Sequence, residues 1–181
     1  MAAVDTDLEP ATGPAPAEPL DHAVLVDIAC GIAEARSLWE PHVVHDERDR
    51  RPVRLLATDA YEVWVIGWTE GQGVDMHDHA GSAGVLVVAD GALTERRPGF
   101  ETERLGAGAV QRLDRTVVHE VANVEVNPAT SIHVYSPPLL AMGYYDEHGE
   151  RALLIENVVE EAPVVDRRAT ARALHPALRG A

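Results

Sequence analysis

The chain has 181 residues, 15 basic side chains against 30 acidic ones and a formal net charge of -15. Every basic residue is arginine, so no lysine-rich stripe offsets the repulsion from phosphate backbones and anionic membranes, and nucleic acid and membrane surfaces are excluded as partners. A 46% hydrophobic share with 25% charged residues suits one globular domain burying about two thirds of its unfolded surface, and a lone cysteine, Cys30, excludes an internal disulfide framework and points to a reducing, cytoplasmic compartment.

Residues 1–20 carry Asp5, Asp7, Glu9 and Glu18 among Pro10, Pro14, Pro16 and Pro19. With neither a basic start nor an apolar run, they read as a flexible acidic tail. From Asp21 the apolar residues Leu25, Ile28, Ile32, Ala35 and Trp39 recur at three- and four-residue steps. This predicts one amphipathic helix, capped by Asp21 and stopped by Pro41, that carries Cys30 as a small half-buried residue with no histidine placed to activate it.

From Pro52 the text is strand-like, rich in valine and broken by Gly, Asp and Asn. Residues 61–68 alternate, with Glu62, Trp64, Ile66 and Trp68 on one face and Tyr61, Val63 and Val65 on the other. Asp90-Gly91 between 85–89 and 92–95 predicts a hairpin, since Asp-Gly tolerates the positive φ of a type I′ turn. Further strands are predicted at 101–105, 109–113, 117–122, 130–136, 140–145 and 151–156. The count predicts an all-β barrel or jelly roll over a single domain, 21–165. Nothing approaches the roughly 20 apolar residues of a membrane span. Residues 166–181, where Arg and Ala surround Leu174, Pro176 and Leu178, read as a C-terminal extension with a short helix.

The chemistry lies in the histidines. His77 and His79 flank Asp78, and a two-residue step on a strand puts both imidazoles on one face, a chelate for a divalent transition metal. His119 sits among Val117, Val118, Val121 and Ala122, where an imidazole needs a partner; alone it would be a core histidine bonded to a carbonyl. Ser131, His133 and Tyr135 share one face of their strand, and Thr130, Ile132 and Val134 the other, which suits a polar site inside the barrel and a covered outer face. A Ser-His-Tyr relay can fix the direction of the phenol.

Gly71, five residues, His77-Asp78-His79, then Gly91, followed by Gly108, ten residues, His119, three residues and Asn123, resemble the two motifs of the cupin superfamily. The resemblance implies a double-stranded β-helix with His77, His79 and His119 as metal ligands. Gly84 stands where the common cupin has a ligating glutamate, leaving three histidines and no carboxylate.

Gly67-Trp68, Gly71-Gln72-Gly73, Ser82, Gly91-x-Leu93-x-Glu95, His119-x-Val121-x-Asn123 and Ser131-x-His133-x-Tyr135-Ser136-Pro137-Pro138 look like the thiol dioxygenases, specifically the bacterial cysteine dioxygenases. The resemblance implies Fe(II), with L-cysteine and O2 as the small-molecule partners and cysteine sulfinic acid as product. It assigns Ser131, His133 and Tyr135 a catalytic relay and Arg54 the substrate carboxylate, with Arg51 the rival by register and Pro52 where the family often has tyrosine. Family members that prefer 3-mercaptopropionate have glutamine at the place of Arg54. Gly84 also lacks the sulfur that crosslinks the active-site tyrosine in the animal enzymes. Trp68 is expected to pack below the ligands, and His22, His42, His45, His148 and His175 are expected at the surface. A monomer is expected. The alternatives are a 3-mercaptopropionate dioxygenase, an oxidase of amino-terminal cysteines, a non-catalytic ligand-sensing cupin and a zinc-dependent cupin isomerase.

Overall fold

The computed structural model describes residues 18–146 and 148–156. All but the last three residues of the 1–20 tail, and the whole of the 166–181 extension, lie outside the described residues.

Helix α1 (His22–Glu34) starts as predicted, with the Asp21 carboxylate accepting the Ala23 N–H at 2.7 Å. It ends earlier than the periodicity suggests. Ala35 leaves helical geometry, a 3₁₀ turn over Arg36–Leu38 follows, and Trp39 folds back instead of riding on the helix. Trp39 is buried all the same, its indole N–H donating to the Ala33 carbonyl at 3.2 Å under the Arg36 guanidinium. Packing, not helix continuity, fixes its place.

Among the described residues eleven strands follow: β1 (Val53–Ala57), β2 (Glu62–Trp68), β3 (Gly73–Asp78), β4 (Ala83–Asp90), β5 (Ala92–Arg96), β6 (Glu103–Gly106), β7 (Val110–Leu113), β8 (His119–Ala122), β9 (Ala129–Ser136), β10 (Ala141–Tyr145) and β11 (Arg151–Glu156). They form two antiparallel sheets, ordered β1-β2-β9-β4-β7 and β11-β10-β3-β8-β5-β6. Strand β1 falls in the stretch that reads as strand-like from Pro52, but its bounds were not predicted, because its short Val-Arg-Leu-Leu run has no alternation.

The expected hairpin around Asp90-Gly91 is not formed. Strand β4 pairs with β9 and β7, and β5 pairs with β6 and β8, so the turn carries the chain from one sheet to the other. Glycine is needed there twice over. Gly91 has φ 71°, and a Cβ at this position would lie 2.5 Å from the Pro128 carbonyl oxygen and 2.8 Å from Ala129 Cα. This corner sets the spacing of the two walls.

The period-2 faces sort as predicted. Val63, Val65, Val85, Val87, Ile132 and Val134 point outward and are buried under Leu25, Ala29 and Trp39, so the main apolar core lies between the first sheet and α1. Inside the barrel, Ile66, Trp68, Leu86, Val88, Leu93, Leu105 and Val121 fill one end. The remaining interior is left to polar residues. Among the described residues no helix is long and apolar enough to cross a membrane.

Replacing Gly91 by Ala should destabilise the protein by about 2 kcal/mol or more, since the positive φ and the contact with Pro128 and Ala129 act together. Urea unfolding followed by circular dichroism measures this; an unchanged midpoint would mean that the corner relaxes freely.

Candidate metal centre

Strand β3 delivers His77 and, one step beyond its end, His79; β8 delivers His119, directly opposite His77 in register. A bulge makes this possible. Three steps along β3, from Val74 to His77, face two along β8, from Val121 to His119. The carbonyl of Asp75, inside the bulge, accepts a hydrogen bond from His77 Nδ1 at 2.7 Å. Asp78, between His77 and His79, ties this segment to the neighbouring hairpin. Its carboxylate accepts from Tyr145, Arg151 and the backbone N–H groups of Ala80 and Gly143.

The three imidazoles are buried, and one nitrogen of each lies within 4.8 Å of the others. Their Nδ1 atoms differ in their partners. That of His77 donates to a carbonyl, and that of His119 donates to Glu95 Oε1 at 2.7 Å, so in both rings Nε2 remains as the donor atom for a cation. Neither nitrogen of His79 has a hydrogen-bond partner among the described residues, although both are buried. Such an orphaned ring is costly unless something binds it. Burial, and then the charge of the neighbouring imidazoles, push the His77 and His79 pKa values well below the usual histidine range. His77 and His79 are therefore neutral and, with His119, could hold a cation.

The opposite wall is β9. Trp68 Nε1 donates to Ser131 Oγ at 2.8 Å, Ser131 Oγ lies 2.8 Å from His133 Nε2, and His133 Nδ1 lies 3.0 Å from Tyr135 Oη. The indole N–H can only donate, and a Ser131 hydroxyl that accepts it keeps its own proton for the imidazole. Ser131 then gives its proton to His133 Nε2, His133 Nδ1–H donates to the phenol oxygen, and the Tyr135 proton is left to point into the site. Burial, reinforced by the Arg50 charge, pushes the His133 pKa down to about 3, which keeps the ring neutral as this relay requires. Burial raises the Tyr135 pKa, so the phenol keeps its proton. The Tyr135 ring stands 4.9 Å from that of His79, centroid to centroid. Gly84 is its seat: a Cβ there would fall 2.8 Å from Tyr135 Cδ1, so a glutamate at this position could not coexist with the phenol as placed.

A model of the cysteine dioxygenase type I family matches residues 23–148. The chain belongs to the cysteine dioxygenase type I family. It is 29% identical over 101 residues to cysteine dioxygenase type 1 of Danio rerio, covering 48% of this chain and 50% of that protein, so it spans about half the length of this curated relative. The protein TT1209 from Thermus thermophilus superposes with a TM-score of 0.51 at 20% identity, over 55% of this chain and 93% of that one. A conserved protein with a double-stranded β-helix domain from Klebsiella pneumoniae gives 0.51 at 19% identity, over 65% and 94%. The fold is the double-stranded β-helix of the cupin superfamily, with one helix at its amino-terminal side.

Within this family member, the arginines are placed less simply than the sequence suggests. Arg54 lies opposite Trp64 on β1, 3.5 Å from the buried Glu62 carboxylate and with its guanidinium over the Trp64 ring. Glu62 Oε1 also accepts the Leu139 N–H at 2.9 Å. Arg51 is exposed and paired with Asp46. Arg50, half-buried just before β1, lies over Trp68 with its guanidinium carbon 4.7 Å from the ring centroid, and its charge is felt at His77, His133 and Tyr135. Sequence reasoning missed Arg50, because a run of Arg48, Arg50 and Arg51 gives no register.

It also gave Glu95 no role, though a carboxylate alternating with Leu93 toward the interior was a signal that it had a buried partner. Trp68 was read as packing and is also the first donor of the relay. Of the predicted bystanders, His45 Nε2 reaches Ala129 O and Thr130 Oγ1, and His22 Nε2 lies 3.3 Å from Leu113 O; neither joins the cluster. His175 lies outside the described residues. Cys30 sits half-buried on α1 with its thiol pKa raised by burial and by Glu34 and Asp27, as its bland role predicts.

Folding holds His77, His79 and His133 neutral, whereas in the unfolded chain they bind protons near the ordinary histidine value of 6.5. The unfolded state therefore gains protons as pH falls, and stability is lost below about 6.5. For the metal-free protein, lowering the pH from 7.5 to about 5.5 should cost about 1 kcal/mol for each of these groups, above the range where carboxylates titrate. Urea midpoints across this window check it; a flat profile would contradict the buried, neutral imidazoles.

Proposed function

We propose that the protein is an Fe(II)-dependent thiol dioxygenase that converts L-cysteine and O2 to cysteine sulfinic acid. The observation that supports this reading most is the facing of two walls: three buried imidazoles on β3 and β8 against a phenol held by a directed relay on β9. The orphaned nitrogens of His79 and the nitrogen-only donor set fit a divalent iron ion held by His77, His79 and His119. When bound, Fe(II) supplies joint binding of a thiol and O2 and the redox mediation that lifts sulfur two rungs up the oxidation ladder. The overall change balances: both oxygen atoms end on sulfur, which loses four electrons, and O2 gains them.

The chain's own residues do the selecting and orienting. Three neutral imidazoles leave a cation's charge uncompensated, so the site favours thiolate over thiol. Tyr135, with its proton released from the relay side, donates toward the substrate and cannot act as a base at neutral pH. Guanidinium suits the substrate carboxylate because it offers two parallel donors. Between the two candidates we assign this contact to Arg50 ahead of Arg54. Arg50 lies over Trp68 and projects its charge onto His77, His133 and Tyr135, whereas Arg54 lies 3.5 Å from the buried Glu62 carboxylate. Arg54 then serves Glu62, which stands opposite Tyr135 in register.

Aerobic incubation of iron-loaded protein with L-cysteine should give a product with two added oxygen atoms by mass spectrometry, and more slowly with 3-mercaptopropionate. No such product with iron intact would overturn the reading. Arg50→Gln should raise KM for cysteine by roughly 10- to 100-fold, the worth of a charge-assisted hydrogen bond. Arg54→Gln should mainly lower stability by stranding Glu62. A larger KM effect from Arg54→Gln would return the carboxylate to that residue.

A further inference from the structure

The three imidazoles are not equivalent in what stands behind them. His77 is backed by a neutral carbonyl, His79 by no hydrogen-bond partner among the described residues, and His119 by a carboxylate. Glu95 projects from β5 into the interior on the same face as Leu93 and is 3% exposed. The Glu95 Oε1 that accepts from His119 Nδ1 also lies 3.0 Å from Arg97 Nη2. Arg97 stands at the rim, 27% exposed in its side chain, and donates to the Arg112 carbonyl at 3.3 Å as well. The chain thus sets an anion one imidazole away from the ligand atoms and a cation immediately behind it.

A carboxylate in that place locks His119 in the tautomer that leaves Nε2 free, and makes that nitrogen a stronger donor than one backed by a carbonyl. This chain has no carboxylate at position 84, and with Tyr135 as placed a Cβ there would lie 2.8 Å from its ring. We propose that Glu95 is a positioning residue that supplies, through His119, the negative charge this centre lacks at position 84, and that Arg97 sets how much of that charge reaches the imidazole. The inference rests on the three histidines holding a metal, and not on which thiol is oxidised.

The two partners of Glu95 make opposite demands, and this gives a test that a merely structural role does not pass. Glu95→Gln is isosteric and keeps an oxygen for His119 Nδ1–H while removing the charge. Metal-free wild type should take up one Co(II), measured against a competing chelator. Glu95→Gln should bind it 10- to 100-fold more weakly, the usual range when a ligand histidine loses its supporting group. In iron-loaded protein, Glu95→Gln should raise the Fe(III)/Fe(II) reduction potential, because less negative charge disfavours the more cationic state. Arg97→Gln should lower the potential and leave Co(II) binding as tight or tighter.

Co(II) affinity within twofold of wild type in Glu95→Gln would overturn the proposal, as would potentials that shift in the same direction in both variants or do not shift. If Glu95→Gln does not fold, the sign of the shift in Arg97→Gln alone decides. Failure of wild type to bind Co(II) would instead overturn the metal centre itself, so the two readings fail separately.

Discussion

Three imidazoles share one buried wall of the barrel, with ring centroids 4.6, 5.0 and 5.2 Å apart, and burial holds His77 and His79 neutral. Neutral rings at that spacing are stable neighbours, whereas protonated ones would repel in a low-dielectric interior. The surrounding structure serves this constraint. The bulge before His77 returns the Asp75 carbonyl to Nδ1, and Glu95 takes the Nδ1 proton of His119 in a hydrogen bond. The Asp78 carboxylate anchors the peptide between the two first ligands to the β10–β11 hairpin. Each device fixes an imidazole's direction without placing a charge among the ligand atoms.

The two sheets divide the labour. The three clustered imidazoles come from β3, the residue just past its end and β8 of one sheet, and Ser131, His133 and Tyr135 come from β9 of the other. Their separation depends on the corner at Gly91 and on the absence of a side chain at Gly84, where Tyr135 packs against bare backbone. The first sheet can present polar residues inward because its outward face is already buried: Ile132 and Val134 lie under α1 while Ser131, His133 and Tyr135 face the cavity. The helix therefore contributes to the site from outside the barrel. It lets one strand be core on one side and relay on the other.

Much of this was legible in the residues. Period-2 alternation sorted β2 and β9 onto the correct faces and put His77 and His79 on one face, because side-chain direction in a strand is fixed by parity, whereas His119 joined them only through the resemblance to the cupin motifs. What parity cannot supply is which strand pairs with which. Asp90-Gly91 has the chemistry of a hairpin turn, yet its flanking strands enter different sheets, since the partners of β4 and β5 lie far along the chain. The end of α1 was hidden for a similar reason: Trp39 keeps the helical spacing but is held by tertiary contacts. Long, flexible side chains were the least legible. Arg50, Arg51 and Arg54 lie within five positions of one another, and only the fold separates the one over Trp68 from the one on Asp46 and the one on Glu62.

Under the proposed function, the three-histidine centre holds iron and accepts a thiolate. X-ray absorption at the iron edge, on iron-loaded protein with and without L-cysteine, tests this most directly. The resting spectrum should fit three imidazole ligands with no carboxylate from the protein, and cysteine should add a sulfur scatterer. A spectrum that fits fewer than three imidazoles, or that shows no sulfur at saturating cysteine, would contradict it.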